Sequence, residues 1–94
     1  MRAVFNGCTI AQSKDTVYLE GNHYFPPESV DARLLQPSHM KSLCMWKGIA
    51  SYHHVSANGQ VAKRAAWVYR HPSPLARRIK NHGAFWNEVE VRED

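Results

Sequence analysis

Apolar and polar positions along this chain alternate in short runs, the pattern of half-buried strands rather than of long amphipathic helices. Residues 2–6, RAVFN, and 8–12, CTIAQ, flank Gly7 and predict a bent strand or a tight strand pair. In TVYLEGNHYFP, Val17 and Leu19 alternate with Tyr18 and Glu20, and Gly21-Asn22 signals a turn. A second short strand then reaches Phe25, and Pro26-Pro27 ends it, because proline has no N–H to give to a ladder. ESVDARLLQPS predicts one helical turn near Glu28 to Asp31, then a short strand through Leu34 and Leu35 that stops at Pro37.

Asn58-Gly59 is the clearest local signal. Asn-Gly between two β-like runs suits a type I′ turn, in which both central residues take positive φ. It predicts an antiparallel hairpin of residues 46–56 and 61–70. With a two-residue loop, Tyr52 faces Ala65, Ala50 faces Trp67 and Gly48 faces Tyr69, so large meets small along one face. The other face pairs Ile49 with Val68 and Lys47 with Arg70, unless a bulge shifts the register.

After His71-Pro72 the chain predicts one short helix, with Ser73 as N-cap, Pro74 at its first position and Leu75, Ala76 and Ile79 as an apolar stripe. Arg77, Arg78 and Lys80 suit its C-terminal end, and Gly83 closes it. AFWNEVEVRE alternates again as a final strand or hairpin. No repeat or linker interrupts residues 1–94, so a single domain is expected. Its class is mainly β: a small, strongly curved antiparallel sheet or barrel-like roll with one short helix.

Composition narrows the setting. At 44% hydrophobic and 21% charged residues the chain is that of a folded globular domain, not a disordered tail. No apolar run approaches a membrane span; the longest strong one, Ala65 to Tyr69, is strand-sized. MRAVFNGCTI lacks a basic-then-apolar leader, so a cytoplasmic setting is expected, with Cys8 and Cys44 as free thiols. The formal charge of +4 favours anionic partners such as nucleotides or phosphorylated metabolites. Specific nucleic-acid binding is not expected, since the chain has no zinc-finger spacing, basic zipper or RNP-type motif.

Zinc is not expected either. The six histidines and two cysteines form neither CxxC nor HxxxH, and His53-His54 point to opposite faces of a strand. Cys44 is a candidate nucleophile if Lys47 or His39 lowers its pKa; otherwise it is a small buried residue where a strand begins. Lys47 stands between Trp46 and Gly48, a setting that suits an anionic ligand group. Its predicted neighbour Arg70 would repel it, and Glu20 is the candidate neutraliser. Trp46, Tyr52, Trp67 and Tyr69 share one predicted face, with Tyr24 and Phe25 nearby, as core or as a ring-lined pocket.

YFP at 24–26, CMWKGIASY at 44–52, AAWVYRHP at 65–72 and AF at 84–85 resemble domain-of-unknown-function family 427 over nearly the whole chain. The resemblance implies a compact mainly-β fold of the Mss4-like class and a catalogue label of nucleotidyltransferase. The motif residues carried over are Glu20, Tyr24, Cys44, Trp46, Lys47, Gly48, Tyr52, Trp67 and Tyr69. Met45 departs from the family's usual proline after the cysteine and loosens the chain there.

The label fits the residues poorly. Nucleotidyl transfer uses clustered carboxylates to hold magnesium, yet Asp15, Asp31 and Asp94 are scattered, and no glycine-rich phosphate loop is present. The expectation is a small-molecule-binding domain for an anionic or nucleotide-like ligand, held by Glu20, Tyr24, Trp46, Lys47, Tyr52, Trp67 and Tyr69. A nucleotidyltransferase or cysteine-dependent enzyme is the alternative, and a protein-interaction module, such as a homodimer formed through the final strand, comes next. No cofactor is assigned.

Overall fold

A computed structural model describes all residues, 1–94. Nine strands form three antiparallel sheets. β1 (Arg2–Phe5), β2 (Cys8–Gln12) and β9 (Glu90–Arg92) form the first, in the order β2-β1-β9. β3 (Val17–Leu19) and β4 (Asn22–Tyr24) form a hairpin. β5 (Leu35–Cys44), β6 (Gly48–Ala57), β7 (Gln60–Tyr69) and β8 (Gly83–Phe85) form the largest sheet, in that order. Phe25 and Gly83 exchange backbone hydrogen bonds of 2.8 and 2.9 Å, which fasten the β3–β4 hairpin to β8. The domain is mainly β, with sheets folded over one another but no closed barrel. No helix is long and apolar enough to cross a membrane.

The large sheet is covered on one face and on the turn half of the other, and Ala65 to Tyr69 is apolar on both faces without alternation. On one face, Val55, Ala57, Ala62, Ala66 and Phe85 pack with Ala3, Ile10 and Ala11 of the first sheet. On the other, Ala50, Trp67, Tyr69 and Ala84 pack with Tyr24 and with Ala76 and Ile79. The first sheet reaches only the turn half of its face. The remainder of that face is open.

The Asn58-Gly59 hairpin forms as the sequence predicts, with φ of 49° and 81° and Ala57 opposite Gln60. A Cβ on Gly59 meets nothing within 4 Å, so Gly59→Val is a test of backbone conformation alone. It should cost about 1–2 kcal/mol, because a β-branched residue resists positive φ. An unchanged melting temperature would contradict the turn.

The register beyond the turn is not the predicted one. Lys63, Arg64 and Ala65 all stand opposite His54, so the pairing slips by two residues. Tyr52 therefore faces Trp67 instead of Ala65, Ala50 faces Tyr69 instead of Trp67, and Ser51, not Ile49, faces Val68. The expected Gly48–Tyr69 and Lys47–Arg70 pairs do not form. The bulge is held because its backbone finds partners elsewhere. Arg64 N–H donates to His54 Nδ1 at 2.9 Å, and Trp86 Nε1 donates to Arg64 O at 2.6 Å. A slip of two preserves the alternation, so the aromatic face survives it.

Three further expectations are corrected. Pro37 does not end a strand; β5 runs through it to Cys44. This works because β5 is an edge strand, where a missing N–H is tolerated, and its register shifts just past Pro37. The segment after Ser73 is a kinked 3-10 helix, Pro74–Ile79, too short to be a regular α-helix. Ser73 caps nothing there: its hydroxyl donates to Trp46 O, and its N–H donates to Lys47 O at 2.9 Å. Finally, the C-terminal run is neither one strand nor a hairpin. β8 joins the large sheet, whereas β9 pairs with β1.

Candidate functional site

Glu20 sits at the tip of the β3–β4 hairpin with φ of 52°, followed by Gly21 at 81°, so the turn centres one residue earlier than predicted. This places the carboxylate beside the segment joining β5 to β6. Trp46 Nε1 donates to Glu20 Oε2 at 3.2 Å, and Lys47 Nζ pairs with Glu20 Oε1. Lys47 is only 6% exposed, while the Glu20 side chain is 49% exposed. The ammonium also lies 5.1 Å from the Trp46 ring centre and 5.8 Å from that of Tyr69, within cation–π range. Burial pushes the Lys47 pKa down. The facing carboxylate works in the opposite sense, favouring the charged amine while the pair is intact.

Beneath this pair lies a ring cluster. Trp67 Nε1 donates to the Tyr24 hydroxyl at 3.3 Å, and the two rings meet edge-on at 6.3 Å. Tyr69 lies 6.4 Å from Tyr24, and Tyr52 lies 6.2 Å from Trp67. Burial raises the Tyr24 pKa, and burial followed by the neighbouring Tyr24 pushes Tyr69 up to about 12. At neutral pH both phenols keep their protons, so they can donate hydrogen bonds but cannot serve as bases.

The seven sequence-predicted binding residues thus form one contiguous group. Tyr24, Trp67 and Tyr69 are buried core, and Trp46 and Tyr52 are half-buried above them. Phe25 belongs instead to the other cluster, packed against Phe85. Sequence reasoning missed Trp86, which is 44% exposed and extends the rings past Trp67 and Tyr52 at 5.7 and 6.2 Å. Its position next to Phe85 in an alternating strand was the available signal. Ser42 and Ser73 were missed too: one bonds the Tyr52 hydroxyl at 3.1 Å, and the other tethers Trp46 and Lys47. No side-chain hydrogen bond reaches the Cys44 thiol, which rests half-buried against the ring cluster, away from Cys8 on β2. His39 is exposed and makes no hydrogen bond to it.

The rings fill their face and enclose no cavity; the two cavities of the molecule lie on the open part of the opposite face. One, of about 280 Å³, is bounded by Val30, Leu35, Val68, His53 and Arg70, and the other, of about 520 Å³, by Lys41, Ser51, Arg70 and His71. Burial, and next the Arg70 charge, holds His53 below the usual imidazole range. As pH falls below about 6.5 the unfolded chain therefore takes up a proton that the folded chain refuses. The stability present above that value is lost as pH falls through the folded pKa. Denaturant titrations between about pH 7.5 and 5 should show this decline, and His53→Gln should flatten it. Equal slopes in both proteins would remove His53 as the cause.

No group of three or more His, Cys, Asp or Glu side chains is placed to hold a metal ion. Asp31 is tied to Arg33, and Asp94 to Arg2 and the N-terminal ammonium. Over residues 1–94 the chain matches the family described as Domain of unknown function (DUF427). No curated protein matches it.

Proposed function

The chain belongs to the DUF427 family, and we propose that it is a cytoplasmic domain that binds a small anionic or nucleotide-like molecule over Lys47 and its surrounding rings. The observation that carries this reading is the convergence on Lys47. A nearly buried ammonium, flanked by Trp46 and Tyr69, has as its charged partner a glutamate on a hairpin tip that is half in solvent. Half exposed, Glu20 can swing toward water by giving up its bonds to Lys47 and Trp46. An incoming carboxylate or phosphate takes its place on Lys47, and the ligand's flat part lies along Trp46 and Tyr52.

An enzymatic reading has less support. A carboxylate cluster for nucleotidyl transfer is missing from the donor set, and Cys44 has no hydrogen-bonded base. The test is a thermal-shift screen of nucleotides, sugar phosphates and small carboxylic acids, with and without magnesium. Anionic compounds should raise the melting temperature of the wild type and lose that effect in Lys47→Met. If no anion stabilises the wild type, or if all stabilise both proteins equally, the reading is wrong.

A further inference from the structure

We propose that the open face of the large sheet, opposite the ring cluster, is a second ligand site, built for a small organic phosphate monoester. The two cavities there share Arg70, so they adjoin, and no aspartate or glutamate lines either of them. Lys41 and Arg70 have no carboxylate partner anywhere in the chain. Lys41 Nζ donates to Ser51 Oγ at 3.0 Å, and the Arg70 guanidinium contacts His53 Nε2 at 3.3 Å. Two unneutralised cations in one concavity, with His71 beside them, create a positive potential that a dianion relieves. A phosphate monoester carries close to two negative charges at neutral pH, and the arginine fork matches its oxygens.

The hydrogen bonding of His53 points the same way. A guanidinium only donates, so Nε2 accepts and the ring proton sits on Nδ1. His53 is more than nine-tenths buried, and this Nδ1 is turned away from solvent toward the Ser51 backbone, short of full hydrogen-bond geometry. The ring on the cavity wall therefore acts through Nε2, which holds the Arg70 guanidinium at the cavity. The smaller cavity supplies the other half of the specificity. Val30, Leu35, Pro37 and Val68 wall it, so an apolar ester group enters there while the phosphate stays between Lys41 and Arg70.

The experiment is an NMR titration of the full chain with phenyl phosphate and with inorganic phosphate. Both should give saturable shifts at Ser51, His53, Val68 and Arg70, with phenyl phosphate binding several-fold more tightly. Lys41→Gln and Arg70→Gln, both at exposed positions that leave packing intact, should each weaken binding about tenfold. The bound dianion should also raise the titration midpoint of the His53 ring, whose other charged neighbours are Arg70, His54 and Lys41. In a Lys47→Met background, where binding over the ring cluster is weakened about ten- to a hundredfold, the same shifts should persist at unchanged affinity, so this site and the Lys47 site fail separately. Shifts that never saturate, shifts confined to Glu20, Trp46 and Lys47, or unchanged affinity in both charge variants would each overturn the second site.

Discussion

Trp67→Ala should cost about 3–5 kcal/mol, a large part of the 5–15 kcal/mol that holds a domain of ordinary stability together. Trp67 is 8% exposed and lies between Tyr24, Tyr52 and Trp86, so its removal leaves a hole that three rings cannot close without leaving their own rotamers. The Tyr24 hydroxyl loses its donor as well. Because β7 is central, with β6 on one side and β8 on the other, the damage reaches both neighbouring strands. Trp67→Phe should cost less, since a ring remains, although the indole's hydrogen bond to Tyr24, about 0.5–1.5 kcal/mol, and part of its buried volume are lost. Urea unfolding would measure both. A loss below about 1 kcal/mol for alanine would mean that the ring cluster is a surface ornament rather than core, contrary to its burial.

The second large effect concerns the ion pair. Lys47→Met should weaken an anionic ligand ten- to a hundredfold, about 1.5–3 kcal/mol, while changing stability by less than about 1 kcal/mol. Methionine keeps the aliphatic stem between Trp46 and Tyr69, and the released Glu20 carboxylate is half in water already. Glu20→Ala is not symmetrical with it. That change strands a buried ammonium, so it should destabilise the fold by about 1–3 kcal/mol, held to that range because water can partly replace an exposed partner. It also removes the competitor for Lys47, so an anion should bind more tightly and recover part of the lost stability. Calorimetric binding and denaturant unfolding on the two variants separate these outcomes. If Lys47→Met lost stability and kept its ligand affinity, the lysine would be a structural residue only.

These two sites differ in how far they could be read before folding. Local chemistry was legible. Asn58-Gly59 demands a positive-φ turn, Gly7 signals a bent strand or a tight pair, which forms as the β1–β2 return, and period-two patterning separates strand faces. The aromatic spacing of Trp67 and Tyr69 put them on one face, and Lys47 beside Trp46 marked where charge meets rings.

What escaped were the features in which one part of the chain settles the behaviour of another. The bulge at Lys63 to Ala65 depends on His54 and on Trp86, twenty-two residues away, accepting and donating to its free backbone groups. Pro37 breaks a central strand, and only the sheet order shows that β5 is at an edge. Ser73 reads as a helix cap until the fold brings Trp46 O to its hydroxyl. The second face went unread because Lys41, His53 and Arg70 are individually ordinary, and their proximity comes from strand register. By itself, the sequence determined the mainly-β class, the Asn58-Gly59 turn, the family and the candidate residues around Lys47, all of which follow from local φ preference, alternation and motif. The tertiary structure alone decided strand order, register and which cations lack an acid, because hydrogen-bond partners and charge neighbours are supplied across long chain separations that no local pattern records.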